Sequence, residues 1–109
     1  MTPQTSTSAA DRITAEVTSW PGVSVGPGRF DSVRFAVGKR ELGHLHGDGL
    51  ADLPFTRALR DQLIPEGRVV RHRPLPDSGW ASRHIASDED VEEVIELLRM
   101  QYERATAKG

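Results

Sequence analysis

The 109-residue chain contains no cysteine. Disulfide frameworks, thiolate metal sites and cysteine nucleophiles are therefore excluded, and nothing favours an oxidising compartment. Long apolar runs are missing as well. No stretch approaches the ~18 residues that a membrane-spanning helix requires, and the opening MTPQTSTSAADR has neither the basic start nor the apolar middle of a secretory signal. A cytoplasmic location without membrane contact is expected. Aromatics are few, three Phe, two Trp and one Tyr, and 14 basic against 16 acidic residues leave a formal charge of -2. Nucleic-acid binding, which calls for a positive field and stacking aromatics, is not expected. Lysine is scarce, so arginine carries nearly all the positive charge, and its planar fork suits carboxylate or phosphate.

What is present fits one small core. A hydrophobic content of 37% over this length suggests a single globular domain from Ala9 to Ala105. The polar segment Met1 to Ser8 reads as a disordered N-terminal arm and Thr106 to Gly109 as a frayed C-terminus.

Apolar spacing at Ile13, Val17 and Trp20 predicts a helix ended by Pro21-Gly22. Val23 to Val25, Ser32 to Val37 and Arg40 to His46 read as three strands in antiparallel succession. The glycine-rich segment after His46 reads as a loop leading to a second helix. Asp52 would stand near that helix's N-cap and Pro54 in its first turn, with Phe55, Leu59 and Leu63 on its apolar face. Two further strands, Arg68 to His72 and Trp80 to Ile85, flank a proline-rich loop. Ser87 followed by Asp90 predicts the start of a last helix with Val91, Val94, Ile95, Leu98 and Tyr102 along its stripe. The expected class is α+β, a two-layer α-β-β-β-α-β-β-α arrangement with a five-stranded, mostly antiparallel sheet. This order resembles, in topology alone, the type III secretion chaperone-like and YjbR-like folds.

The segment ELGHLHGDGLADLPF, Glu41 to Phe55, gathers most of the chemistry. Regular alternation would send Leu42, His44 and His46 to one face of a strand and Glu41, Gly43 and Leu45 to the other. A His-x-His pair on one face can supply two nitrogen ligands to a divalent metal, with Asp48, Asp52, His72 or His84 as a third. Interior hydrogen bonding or plain exposure explains most such pairs, and Asp48 and Asp52 equally suit a turn and a helix cap. Arg68, Arg71, Arg73 and Arg83 suggest a basic strip, either edge protection or an anion site. Trp80 suits either a core anchor or a pocket wall. No Gly-x-Ser-x-Gly elbow supports Ser78 as a nucleophile, and Gly26-Pro27-Gly28 opens no helix and so is no phosphate loop.

Taken together, Glu41-Leu-Gly-His44-Leu-His46, Gly49, Asp52-Leu-Pro54-Phe55, His72, Pro76-Asp-Ser-Gly-Trp80, Asp90-Val91, Leu97-Leu98-Arg99 and Tyr102-Glu103-Arg104 resemble the small bacterial and fungal luciferase domain family. The likeness runs from about Ile13 to Ala105. It implies a domain of unknown function, and no luciferin site follows from it. The family pattern often carries a further histidine beside His44 and His46 and another beside His72. Here Gly47, Asp48, Arg71 and Arg73 stand instead, which weakens a metal reading.

The ligand-binding residues expected are His44, His46, Asp52, His72 and Trp80, with His44, His46 and His72 as the metal candidates. They would hold a small anionic ligand or a divalent metal ion. The alternative is a protein-interaction module or homodimer without catalysis. Whether the chain is an enzyme, and with what cofactor, is open at this level.

Overall fold

Ser8 starts the first helix by accepting a hydrogen bond from the Asp11 amide, at 3.1 Å, into one of the otherwise unpaired positions of the first turn. In the computed structural model, which describes residues 8–28 and 32–107, this helix α1 runs Ala9–Thr18. Of the arm expected over Met1 to Ser8, only Ser8, the helix cap, is among the described residues; the rest lies outside them, as do the last two residues of the chain. Ile13 and Val17 are fully buried, as the spacing predicts, and Trp20 lies just beyond the helix end. Its ring packs 5.3 Å from that of Tyr102, whose hydroxyl donates to the Pro21 carbonyl.

The strands are β1 Val23–Pro27, β2 Val33–Val37, β3 Arg40–His46, β4 Leu50–Pro54, β5 Val70–Arg71 and β6 Trp80–His84. They form one antiparallel sheet in the order β1-β2-β3-β4-β6-β5. The α+β class is as expected, but the sheet has six strands and not five. The missed strand is β4, and it sits between β3 and β6. Its flanks, Gly47-Asp48-Gly49 and Pro54, read as turn chemistry. Yet the β3 ladder stops at Asp52, so the absent N–H of Pro54 removes no bond on that side.

Helix α2, Arg57–Leu63, accordingly starts later than expected. Thr56 caps it by accepting from the Leu59 amide, and Asp52 has no part in the cap. Helix α3, Asp88–Thr106, is capped as the sequence predicts: Ser87 accepts from the Asp90 amide, while the Asp90 carboxylate reaches back to the Ala86 amide. Asp90 is held below its ordinary value by that backbone bond and by Arg83.

Helices α1 and α3 pack on each other, and α3 lies on β3, β4 and β6. Phe35, Leu45, Leu53 and Ala81 from the strands meet Val94, Leu97 and Leu98 of α3 in the core. Gly43 marks the closest approach: a Cβ built there would stand 2.9 Å from the Asp52 carbonyl oxygen and 3.0 Å from a Leu98 methyl.

Candidate functional site

A break in alternation along β3 builds the site. Phe35 of β2 lies opposite Gly43 while Ala36 lies opposite Glu41, so Leu42 is an extra residue without a partner. The bulge turns Leu42 into the core, where it is fully buried. It also returns Glu41 to the face that carries His44 and His46. The regular alternation expected from sequence, with Leu42 beside the histidines and Glu41 opposite, is therefore corrected. A regular pleat would hold residues three apart on opposite faces. Here the His44 Nδ1 stands 2.8 Å from the Glu41 carboxylate, whose other oxygen accepts from Arg34 Nε at 3.1 Å.

Across the ladder His44 pairs with Asp52, and Asp52 with Ser82. The three side chains share the face that α3 does not cover. Asp52 is buried, its side chain only 5% exposed. Its Oδ1 accepts from Ser82 Oγ at 2.6 Å. Its Oδ2 faces three imidazoles: His46 Nε2 at 3.1 Å, His72 Nε2 at 3.4 Å and His44 Nε2 at 3.5 Å. Trp80, half-buried, forms a wall, with ring centroids 5.3 Å from His44 and 5.7 Å from His72. It is a member of this cluster and not of the hydrophobic core. His44 and His46 meet edge to face at 4.8 Å.

The electrostatics follow from these contacts. Hydrogen bonding to Asp52 and then to Glu41 stabilises the His44 imidazolium and raises its pKa to about 9, against partial burial. Burial alone would raise the Asp52 pKa. Bonds from His44 and Ser82, with the charges of His72 and His44, outweigh it and bring the value down to about 2. For Glu41 burial is likewise outweighed, by His44 and Arg34, and the pKa falls.

The five residues expected from sequence thus come together. Two remote candidates do not. Asp48 accepts from the Ala10 amide at 2.9 Å and ties the β3–β4 turn to α1, while His84 stands exposed opposite Leu50. Three of the four arginines of the supposed basic strip are engaged elsewhere: Arg68 with Glu93 and Glu96, Arg83 with Asp90, Arg71 with the Pro76 carbonyl. Ser78 is a turn residue bonded to the Leu75 carbonyl. Sequence reasoning missed Glu41 and Ser82. Ser82 was findable, since it lies two residues beyond Trp80 on the same strand face. Glu41 was hidden by the bulge.

Among the described residues, His44, His46 and Asp52 form a group whose ligand atoms all lie within 4.8 Å of one another. Of the third ligands considered from sequence, Asp52 belongs to this group, while His72 Nε2 lies 3.4 Å from the same Asp52 oxygen. The luciferase domain family matches residues 39–101, which contain every residue of this cluster and more than half of the chain. The chain belongs to the luciferase domain family. The match starts just before β3 and ends within α3, so the portion of the fold shared with the luciferase domain family is the part that carries the site. No curated protein and no solved structure matches the chain. Among the described residues no helix is long and apolar enough to cross a membrane.

Proposed function

We propose that this luciferase domain binds a divalent transition-metal ion through His44 Nε2, His46 Nε2 and Asp52 Oδ2. The observation that carries the reading is the convergence of three ring nitrogens on one carboxylate oxygen. A carboxylate oxygen offers about two lone-pair directions, too few for three N–H donors. Ring nitrogens that turn lone pairs toward a shared cation resolve the mismatch. The outer contacts support the same reading. Glu41 takes the far nitrogen of His44 and Ser82 takes the far oxygen of Asp52, the pattern that orients ligands around a metal. Two imidazoles and one carboxylate suit zinc or iron(II), with bonds near 2.0–2.2 Å for zinc.

An ion fits better than a bulky anionic ligand. The imidazoles converge on a single Asp52 carboxylate oxygen, and two surface grooves among the described residues lie elsewhere, one lined by Arg12, Glu16, Glu92 and Ile95, the other by Asp48, Ile85 and Val91. Elemental analysis and Co(II) titration of untagged protein test the reading. One equivalent of metal is expected, with affinity at least about 100-fold weaker in Asp52→Ala. Equal, weak uptake by wild type and by the His44→Ala/Asp52→Ala variant would sink it.

The interaction-module alternative rests on Val70 and Leu75, each about half exposed. Leu50 and Trp80 are only half-exposed to solvent and Phe55 is buried. Light scattering that finds a stable dimer lost in Leu75→Glu would favour it.

A further inference from the structure

Arg60 is a buried cation whose position has no role in the metal reading as stated. Its side chain is only 4% exposed although it lies on the short helix α2. The Asp61 carboxylate neutralises it from one side, 2.8 Å from Nη2, and on the other Nη1 donates to two backbone carbonyls, Pro76 at 3.0 Å and Ser78. Removing a charge from water is unfavourable unless its donors are all directed at acceptors, and a guanidinium can direct several at once.

Those two carbonyls belong to the segment that joins β5 to β6. His72 stands at its start and Trp80 at its end, so the strap delivers two of the five cluster residues. It is pinned from several directions. Arg71 donates to the same Pro76 carbonyl at 2.7 Å, Ser78 closes a turn onto Leu75, and the Trp80 amide donates to Ser78 Oγ. Gly79 lies so close to the backbone leading into α2 that an added Cβ would run into the Phe55 carbonyl and the Thr56 backbone. The strap is thus pressed onto the start of α2 and clamped by a charge from inside that helix. His72 is the member of the cluster most in need of such support: its Nδ1 is buried without a hydrogen-bond partner, so only Nε2, facing Asp52, fixes the ring by polar contact.

We propose that Arg60 is the positioning residue of the cluster, holding the 72–79 strap through the Pro76 and Ser78 carbonyls so that His72 and Trp80 face Asp52. Lysine cannot replace it, because a single ammonium lacks the planar fork that reaches both carbonyls and Asp61 together.

The test compares Arg60→Lys and Arg60→Met with Leu63→Ala, a buried residue of the same helix that belongs to the hydrophobic core. In metal-free protein, NMR should show loss of the nuclear Overhauser contacts between the His72 and Trp80 rings in both Arg60 variants, with Trp20 unchanged as internal reference. Leu63→Ala should lower the melting temperature and leave those contacts intact. Co(II) affinity should fall about tenfold in the Arg60 variants and hold in Leu63→Ala. This affinity measurement rests on the metal reading, whereas the ring contacts do not. A wild type that takes up no metal therefore removes that reading and leaves Arg60 to be judged by NMR. Folded Arg60 variants with wild-type ring contacts would overturn the proposal. Should neither variant fold, the wild type decides: strap amides of Leu75 and of Asp77 to Gly79 as rigid as those of β6 are expected, and nanosecond mobility there would overturn it.

Discussion

Ser82 offers the mildest probe of the cluster. Its hydroxyl touches Asp52 Oδ1 and no imidazole contact depends on it directly. Ser82→Ala should therefore leave the fold in place and weaken Co(II) binding about 10–100-fold, because Asp52 loses the bond that orients it. His44 gives a pH signature. Its pKa is raised from 6.5 to about 9, so its imidazolium contributes stability fully below about pH 6.5, and the contribution fades as pH climbs through about 9. Asp52 has the opposite sign: lowered from 3.8 to about 2, it stabilises the fold above about pH 3.8 and stops doing so as pH falls through about 2. Thermal melts followed by circular dichroism should show the wild type losing stability between about pH 6.5 and about pH 9, and His44→Gln losing much less. On the proposed metal reading an ion would have to displace the same proton, so apparent Co(II) affinity should rise with pH over that window. At this scale much was legible. A His-x-His pair is visible in any strand reading, and His72 and Trp80 stood out as the polar and aromatic features of the last two strands. Asp52 was among the expected ligand residues, but its place in the sheet was not legible, because aspartate before proline is a helix-cap signal and only the unrecognised strand β4 puts it there.

Among the elements, β3 shows why pattern reading fails locally. The bulge at Leu42 inverts the phase of alternation within a seven-residue strand, and nothing in ELGHLH announces it except the glycine that follows Leu42. Gly43 is required for a second reason, since α3 lies against it. Gly43→Ala should destabilise the protein by about 1–3 kcal/mol in urea unfolding, as Leu98 or the β4 backbone gives way. A refined variant, Gly43→Ala with Leu98→Ala, should recover little, because relief of the Leu98 contact is offset by the cavity left behind and the Asp52 carbonyl remains in the way. Helix α3 was the opposite case. Its long apolar stripe and its Ser87 cap agree with each other and with the tertiary contacts, so periodicity alone located it. Ser87→Ala should lower stability by about 1 kcal/mol through loss of the bond to the Asp90 amide.

For the molecule as a whole, protection should follow position in the sheet. Strands β3, β4 and β6 are flanked on both sides and lie under α3, whereas β1 and the two-residue β5 are edges. Hydrogen exchange should therefore be slowest in β3, β4, β6 and the centre of α3, and fastest at β1 and β5. The strand order also differs from the order of synthesis, since β6 inserts between β4 and the earlier β5. His44, His46 and Asp52 all belong to the β3–β4 hairpin, a local contact that can close within microseconds once those residues exist. Ser82, His72 and Trp80 reach it only after α2 and the strap have been made and β6 has found its slot. The cluster is in this sense assembled early and sharpened late, and a nascent chain that has not yet produced β6 already carries two imidazoles and a carboxylate, the proposed metal ligands, on a bare sheet edge.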